Sequence, residues 1–366
     1  STIGDILGSD HARVAFYYAL YAIGMFVLMR SKKHNHFVSF FTAFAAVFSS
    51  VVITWIMIGH NTKPIVLMMF PWIFFLLEKL RVKFSLLYAA LLIFAVHLMF
   101  EGAHIQMMFY GFAAFGIYIL FELITRFVRK QEPMGMVRAT AILIVAAGMA
   151  FLMSSDRYLA VLDYTPYSTR GSAPLNITDD TNKNSTGGND YEYATMWSFD
   201  PAEIITFFVP SYYGFGKRDI SELTGSSEKQ VQSVYWGEKP IEDSPPYMGI
   251  IVLIFGIFGA IMYRKDVFVQ FLIVVSLFAL FLAFGRHISF LYDLFYYYFP
   301  SFDKFRAPSM ALAIMHFAMP ILAGYGLTGM LKWKVDQSAV VRKNLNSLVI
   351  VSVVFLGFGI LFSMGF

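Results

Sequence analysis

Ten apolar stretches dominate the sequence, at about residues 12–29, 37–58, 64–78, 84–100, 106–125, 139–154, 247–263, 267–284, 308–330 and 347–365. A bilayer core of about 30 Å is crossed by roughly 20 helical residues, so stretches of this length predict transmembrane helices. Composition agrees: 58% of the 366 residues are hydrophobic and 14% charged, against roughly 45–50% and about 25% in soluble domains. A soluble globular fold and a disordered chain are excluded. The absence of Cys also removes disulfide scaffolds, zinc–cysteine sites and thiol nucleophiles. The expected fold is an all-α polytopic membrane protein of about ten transmembrane helices. Pro71 and Pro320 fall inside the third and ninth stretches and mark kinks.

Short cytoplasmic loops retain Lys and Arg. Alternate loops here hold Arg30, Lys32 and Lys33; Lys79, Arg81 and Lys83; Arg126, Arg129, Lys130 and Arg138; Arg264 and Lys265; and Lys332, Lys334, Arg342 and Lys343. The intervening short loops carry only Lys63, then Arg286, Lys304 and Arg306. The first set is therefore expected in the cytoplasm, which puts both ends of the chain outside it. An outside start without a preceding span or signal implies that Ser1 is internal to a longer protein. The pattern divides the chain into a six-helix membrane part (1–154), a non-cytoplasmic loop domain with short helices (155–246) and a four-helix membrane part (247–366).

The loop domain holds 14 Asp and Glu against seven Lys and Arg. A net −7 does not suit nucleic acid. Its stretch from about 172 to 190 is polar and aperiodic, which reads as a loop. Asp200, Pro201 and Glu203 form a helix-start signal, predicting a short helix over 201–208.

Chemistry concentrates at the outer turns. WIMIGHNTKP places His60, Asn61 and Lys63 at the membrane surface. Lys63 suits a phosphate as a point charge, and His60 or Asn61 would donate hydrogen bonds; a polar turn with a snorkelling Lys is the plainer reading. VHLMFEGAHIQMMFY places His97, Glu101, His104 and Gln106 at the next boundary. Spacings of four and three resemble metal-ligand spacing, although Gly102 interrupts the helix. The last outer loop, RHISFLYDLFYYYFPSFDKFRAPS, combines an aromatic run with Lys304 and Arg306. It reads as an interfacial helix followed by a guanidinium suited to bidentate phosphate binding. GFGKR lacks the ending of a phosphate loop, and neither G-x-S-x-G nor H-E-x-x-H occurs, so hydrolase templates have no support.

In order, FSSVVITWIMIGHNTKP, HIQMMFY, YSTRG, YATMWSFDPAE, VYWGEKP with PPYMG, and FDKFRAPSMALAI resemble the YfhO family of bacterial membrane proteins. That family is similar to the C-type (GT-C) glycosyltransferases, which move a sugar from a polyprenyl-phosphate donor to an acceptor outside the cytoplasm. The resemblance implies a GT-C-like fold in the bacterial cytoplasmic (inner) membrane of the cell envelope. It also implies a polyprenyl-phosphate sugar and a glycan or protein acceptor as partners besides membrane lipids, and no nucleic acid. Substrate-binding residues carried over are His60, Asn61, Lys63, His104, Gln106, Tyr167, Arg170, Lys304 and Arg306; Trp197 and Trp236 join them as an aromatic platform for the acceptor sugar. The catalytic Asp of such enzymes belongs to a first outer loop, expected upstream of Ser1. No metal or other cofactor is expected, a divalent cation at His97, Glu101 and His104 being the alternative. A non-catalytic scaffold or accessory subunit of a larger membrane complex would share the same topology.

The charge distribution makes a direct prediction. Single cysteines introduced at Ser185 and Ser309 are labelled by a membrane-impermeant thiol reagent on intact cells; protection of both overturns the orientation.

Overall fold

The computed structural model describes residues 9–168, 189–221, 225, 229–243, 245–333 and 346–357. It is mostly helical. The helices are α1 (Asp10–Ser31), α2 (His36–Val47), α3 (Ser50–Met57), α4 (Thr62–Met68), α5 (Phe70–Val82), α6 (Leu86–Glu101), α7 (Ile105–Val128) and α8 (Met134–Met153). The loop region adds α9 (Ser155–Tyr164) and α10 (Tyr191–Thr195), followed by α11 (Ile250–Met262), α12 (Val267–Ala283), α13 (Phe290–Tyr298) and α14 (Leu312–Trp333). A last described helix, α15, covers Asn346–Gly357.

Among the described residues four helices, α1, α7, α8 and α14, are long and apolar enough to cross a membrane; α2 and α3, bent by 41° at a short break, add a fifth if taken as one span. This is fewer than ten because several apolar stretches form shorter helices. At 1.5 Å per residue, the 13 residues of α11 and the 17 of α12 rise only about 20 and 26 Å. The third stretch breaks at Met69, just before Pro71, into α4 and α5. Helix α14, in contrast, runs through Pro320 without interruption.

The exterior is apolar and the interior admits small polar groups. On α2 and its C-cap the exposed large apolar residues are Phe37, Phe40, Phe44 and Phe48, while Ser39 and Thr42 are buried. That is the reverse of a water-soluble amphipathic helix, and it suits a lipid-facing surface. Helix α14 is the axis of the bundle, 89% buried along its apolar window. Phe317 on it stacks on Phe74 of α5 at 5.4 Å and meets Phe70 edge-on at 5.8 Å. Through α14, the membrane helices before and after the loop region share one core.

At one end of the bundle the basic loops meet buried carboxylates. Glu78 binds Lys32 at 3.1 Å and Arg81 at 2.8 Å, and Glu122 lies 3.4 Å from Arg126 and 3.7 Å from Arg81. Lys32 also sits 3.8 Å over the Phe268 ring, so loops separated by more than 200 residues share this end. At the opposite end lie the turns at 59–62 and 102–104, helix α9 and the segment 301–309, which together surround one cavity.

Among its described residues the loop region is helical only in short pieces. The expected helix at 201–208 is a 3-10 helix, Pro201–Phe207, capped by Asp200 through a 2.6 Å bond from the Ala202 N–H. Glu203 does not reach back to the cap; it is buried against Lys239 at 2.9 Å and accepts from Tyr235 Oη at 2.7 Å. A two-stranded antiparallel ribbon, β1 (Lys217–Asp219) with β2 (Val231–Ser233), completes the described part.

Helices α11 and α14 approach so closely that only glycine fits. A Cβ on Gly259 would lie 2.1 Å from the Leu322 carbonyl oxygen, and one on Gly326 would lie 2.0 Å from that of Phe255. Both obstacles are backbone and cannot rotate away. Gly259→Ala is therefore expected to destabilise the protein by about 1–3 kcal/mol. Gly148→Ala, where a Cβ meets nothing within 4 Å, should leave it unchanged or slightly stabilised. Thermal unfolding in detergent compares the two; equal melting temperatures would contradict the crossing geometry.

Candidate functional site

The cavity at the end opposite the Glu78 and Glu122 network has a volume of about 1190 Å³. Its charged lining residues are Lys63, Arg157, Lys239, Lys304 and Arg306 against Glu242 and Asp243. The lining is thus net positive, although the loop region that contributes to it is acidic overall. Val51, Trp55, Ile58, Val161 and Leu162 give it apolar walls.

Arg306 is held from several directions. The backbone turns through left-handed conformations at Ser301 (φ 62°) and Ala307 (φ 57°), which turns the segment back beside the start of α14. The Gln106 amide donates to the Arg306 carbonyl at 2.7 Å and to Tyr110 Oη at 2.8 Å. Gln106 is buried, and its amide holds the Arg306 backbone in place. The guanidinium donates to Tyr193 Oη and lies 5.7 Å from the Tyr193 ring and 5.5 Å from the Trp197 ring. A planar cation bonded to one aromatic hydroxyl and close to a second ring keeps its orientation while retaining donors for an anion.

Lys63 and His60 form the facing pair. Lys63 Nζ donates to His60 Nδ1 at 3.1 Å, which leaves the proton of the neutral ring on Nε2. Burial and the charge of Arg306 hold the Lys63 ammonium below the ordinary lysine range, with Glu242 acting the other way. His60 is likewise lowered, by burial and by Lys63, against Asp243. Lys63, Arg306, Glu242 and Asp243 all line this cavity. His104 caps α7, its Nδ1 accepting from the Met107 N–H at 3.3 Å, so its neutral ring also carries its proton on Nε2.

Lys239 is the buried cation of the wall. Burial alone would lower its pKa, but Glu242 and Glu203 outweigh it and raise the value. A buried ammonium shared by two carboxylates is satisfied only while both remain, and this network ties VYWGEKP to the 3-10 helix.

Among the residues singled out in the sequence, His60, Lys63, His104, Gln106, Trp197, Lys304 and Arg306 line this one cavity. Asn61, Tyr167 and Trp236 do not. Asn61 sits in the turn before α4, its Oδ1 buried without a hydrogen-bond partner. Tyr167 ends a short 3-10 turn with its ring outward. Trp236 is exposed and packs on Tyr213 at 4.3 Å, with its indole N–H on the Tyr212 carbonyl at 3.1 Å. The aromatic platform therefore divides, Trp197 in the cavity and Trp236 outside it. Arg170 lies outside the described residues. His97, Glu101 and His104 do not form a ligand group among the described residues: α6 ends at Glu101, and the left-handed Ala103 (φ 52°) turns His104 onto the next helix.

Sequence reasoning passed over Asp243, Glu242, Lys239, Arg157 and His316. The only signal for His316 is a lone imidazole in an apolar stretch; it is buried at the cavity's edge, its Nδ1 3.2 Å from Ser49 Oγ. Comparison with family models, curated proteins and solved structures gives no match.

The lowered Lys63 sets a pH dependence. Anion binding in the cavity requires its charged form, so affinity for an anion is present at neutral pH and falls as pH rises through a value below the ordinary lysine range. Lys63→Arg should remove this alkaline decline, since a guanidinium stays protonated. Titrating phosphate-ligand affinity against pH in both proteins checks it; identical profiles would separate Lys63 from binding.

Proposed function

We propose that the cavity binds a polyprenyl-phosphate sugar and that the protein transfers the sugar to an acceptor on the non-cytoplasmic side of a bacterial cytoplasmic membrane. The reading rests on one observation: Lys63 and Arg306 line one cavity with apolar walls at the end of a bundle with an apolar exterior. A phosphate suits the two cations, and a polyprenyl chain suits the walls and the lipid beyond them. The likeness of the outer motifs to the YfhO family supports the same substrate class.

In this reading the acceptor hydroxyl attacks the anomeric carbon while the bond from that carbon to the phosphate oxygen breaks. Lys63 and Arg306 stabilise the charge on the leaving phosphate. The hydroxyl proton passes to a carboxylate. Glu242 is engaged by Lys239, whereas Asp243 is in no ion pair among the described residues; Asp243 is thus the acceptor this chain offers. Gln106 positions Arg306, and Trp197 presents an aromatic face to a sugar.

Binding of a polyprenyl phosphate to protein in nanodiscs tests the reading. Arg306→Lys keeps the charge but loses the fork and the fit between Tyr193 and Trp197, so affinity should fall about tenfold, or ~1.4 kcal/mol. Arg306→Ala should fall further, with unfolding temperatures unchanged. Wild-type affinity in Arg306→Ala rejects the site. Intact binding without sugar transfer to any glycan or protein acceptor replaces the enzyme with an accessory subunit.

A further inference from the structure

Behind the cavity wall, three potential metal ligands from distant parts of the chain converge. Oxygen atoms of Asp200 and Glu238 and a ring nitrogen of His287 all lie within 4.8 Å of one another. His287 Nε2 is 3.7 Å from Glu238 Oε2. That nitrogen is sealed from solvent and has no hydrogen-bond partner, which is costly for a polar atom unless something meets it.

The backbones carrying these groups are fixed by contacts outside the cluster. The Phe199 N–H donates to the Ala283 carbonyl at 2.8 Å, and the Arg286 N–H donates to Ser198 Oγ at 3.1 Å. These bonds hold Asp200 and His287 in register across the gap between the 3-10 helix and the turn after α12. Gly285, at φ 49°, packs against Ser198 where a Cβ would lie 2.1 Å from its Oγ. Glu238 precedes Lys239, whose ion pairs with Glu203 and Glu242 anchor that segment. Asp200 uses Oδ1 to cap the helix, so a carboxylate oxygen remains.

We infer that Asp200, Glu238 and His287 bind one divalent first-row transition-metal ion outside the membrane-spanning helices. Two carboxylates and one imidazole form a donor set for Mn²⁺ or Zn²⁺. Ligand atoms on such an ion sit about 3–4 Å apart, so the ion draws these groups together by roughly 1 Å. Arg286, 3.5 Å from Glu238 Oε2 and 37% exposed in its side chain, swings outward as the ion replaces its charge. Phe199 and Lys239, the neighbours of two ligands, line the cavity; the ion thus clamps the cavity wall without entering the cavity.

Mn²⁺ titration of the full chain in detergent, purified without a polyhistidine tag, tests this. One ion should bind per chain, with imidazole-nitrogen coupling in pulsed electron paramagnetic resonance. His287→Gln should abolish the coupling. Asp200→Asn, which still caps the 3-10 helix, should weaken binding at least tenfold while the metal-free unfolding temperature stays unchanged. This second variant decides the question if His287→Gln fails to fold. Absence of bound Mn²⁺ up to millimolar concentration, or wild-type affinity in Asp200→Asn, overturns the site.

Discussion

Charge inside a bundle with an apolar exterior is stable only where another charge, a hydrogen-bonding group or water meets it. This constraint separates the two ends of the protein. At one end Glu78 and Glu122 gather Lys32, Arg81 and Arg126 into ion pairs, and the charges largely satisfy one another. At the other end cations outnumber carboxylates around an open volume. The first arrangement holds loops together, and the second leaves positive charge available to a ligand.

The central helix makes that division possible. Close glycine contacts let α11 lie against α14 backbone to backbone, and the aromatic stack through Phe317 fills the space beside α5. With α14 packed tightly against its neighbours, the cavity lies at one end of the bundle. The segment leading into α14 carries Arg306 to that end, where Gln106 from α7 fixes its backbone and two aromatics from the loop region orient its guanidinium. Thus three regions far apart in the chain build the surroundings of one side chain. The loop region is locked in turn by the buried Lys239 network, so cavity shape and loop position are coupled.

Helical class was legible from the sequence because apolar runs of 15 or more residues leave the backbone few other ways to satisfy its hydrogen bonds in an apolar environment. So was the gathering of polar side chains at the helix ends, since polar residues beside such runs must sit there. His60, Lys63, His104 and Arg306 stood out for this reason. Span lengths were less legible: hydropathy does not register the break at Met69, the bend between α2 and α3, or helices that stop short. Pro71 and Pro320 look alike in sequence, yet only the first adjoins a break.

Composition and hydropathy determined by themselves that this chain is a helical, membrane-type protein, because bulk transfer energies act on each segment locally. Only tertiary structure decided which turns meet. It brought Trp197 into the cavity and left Trp236 outside, set Gln106 against the Arg306 carbonyl, and made an acidic loop region contribute to a positive cavity. It also placed Asp200, Glu238 and His287 side by side. Such outcomes depend on how helix ends and loops pack in three dimensions, and neither hydropathy nor net charge carries the direction in which a side chain points.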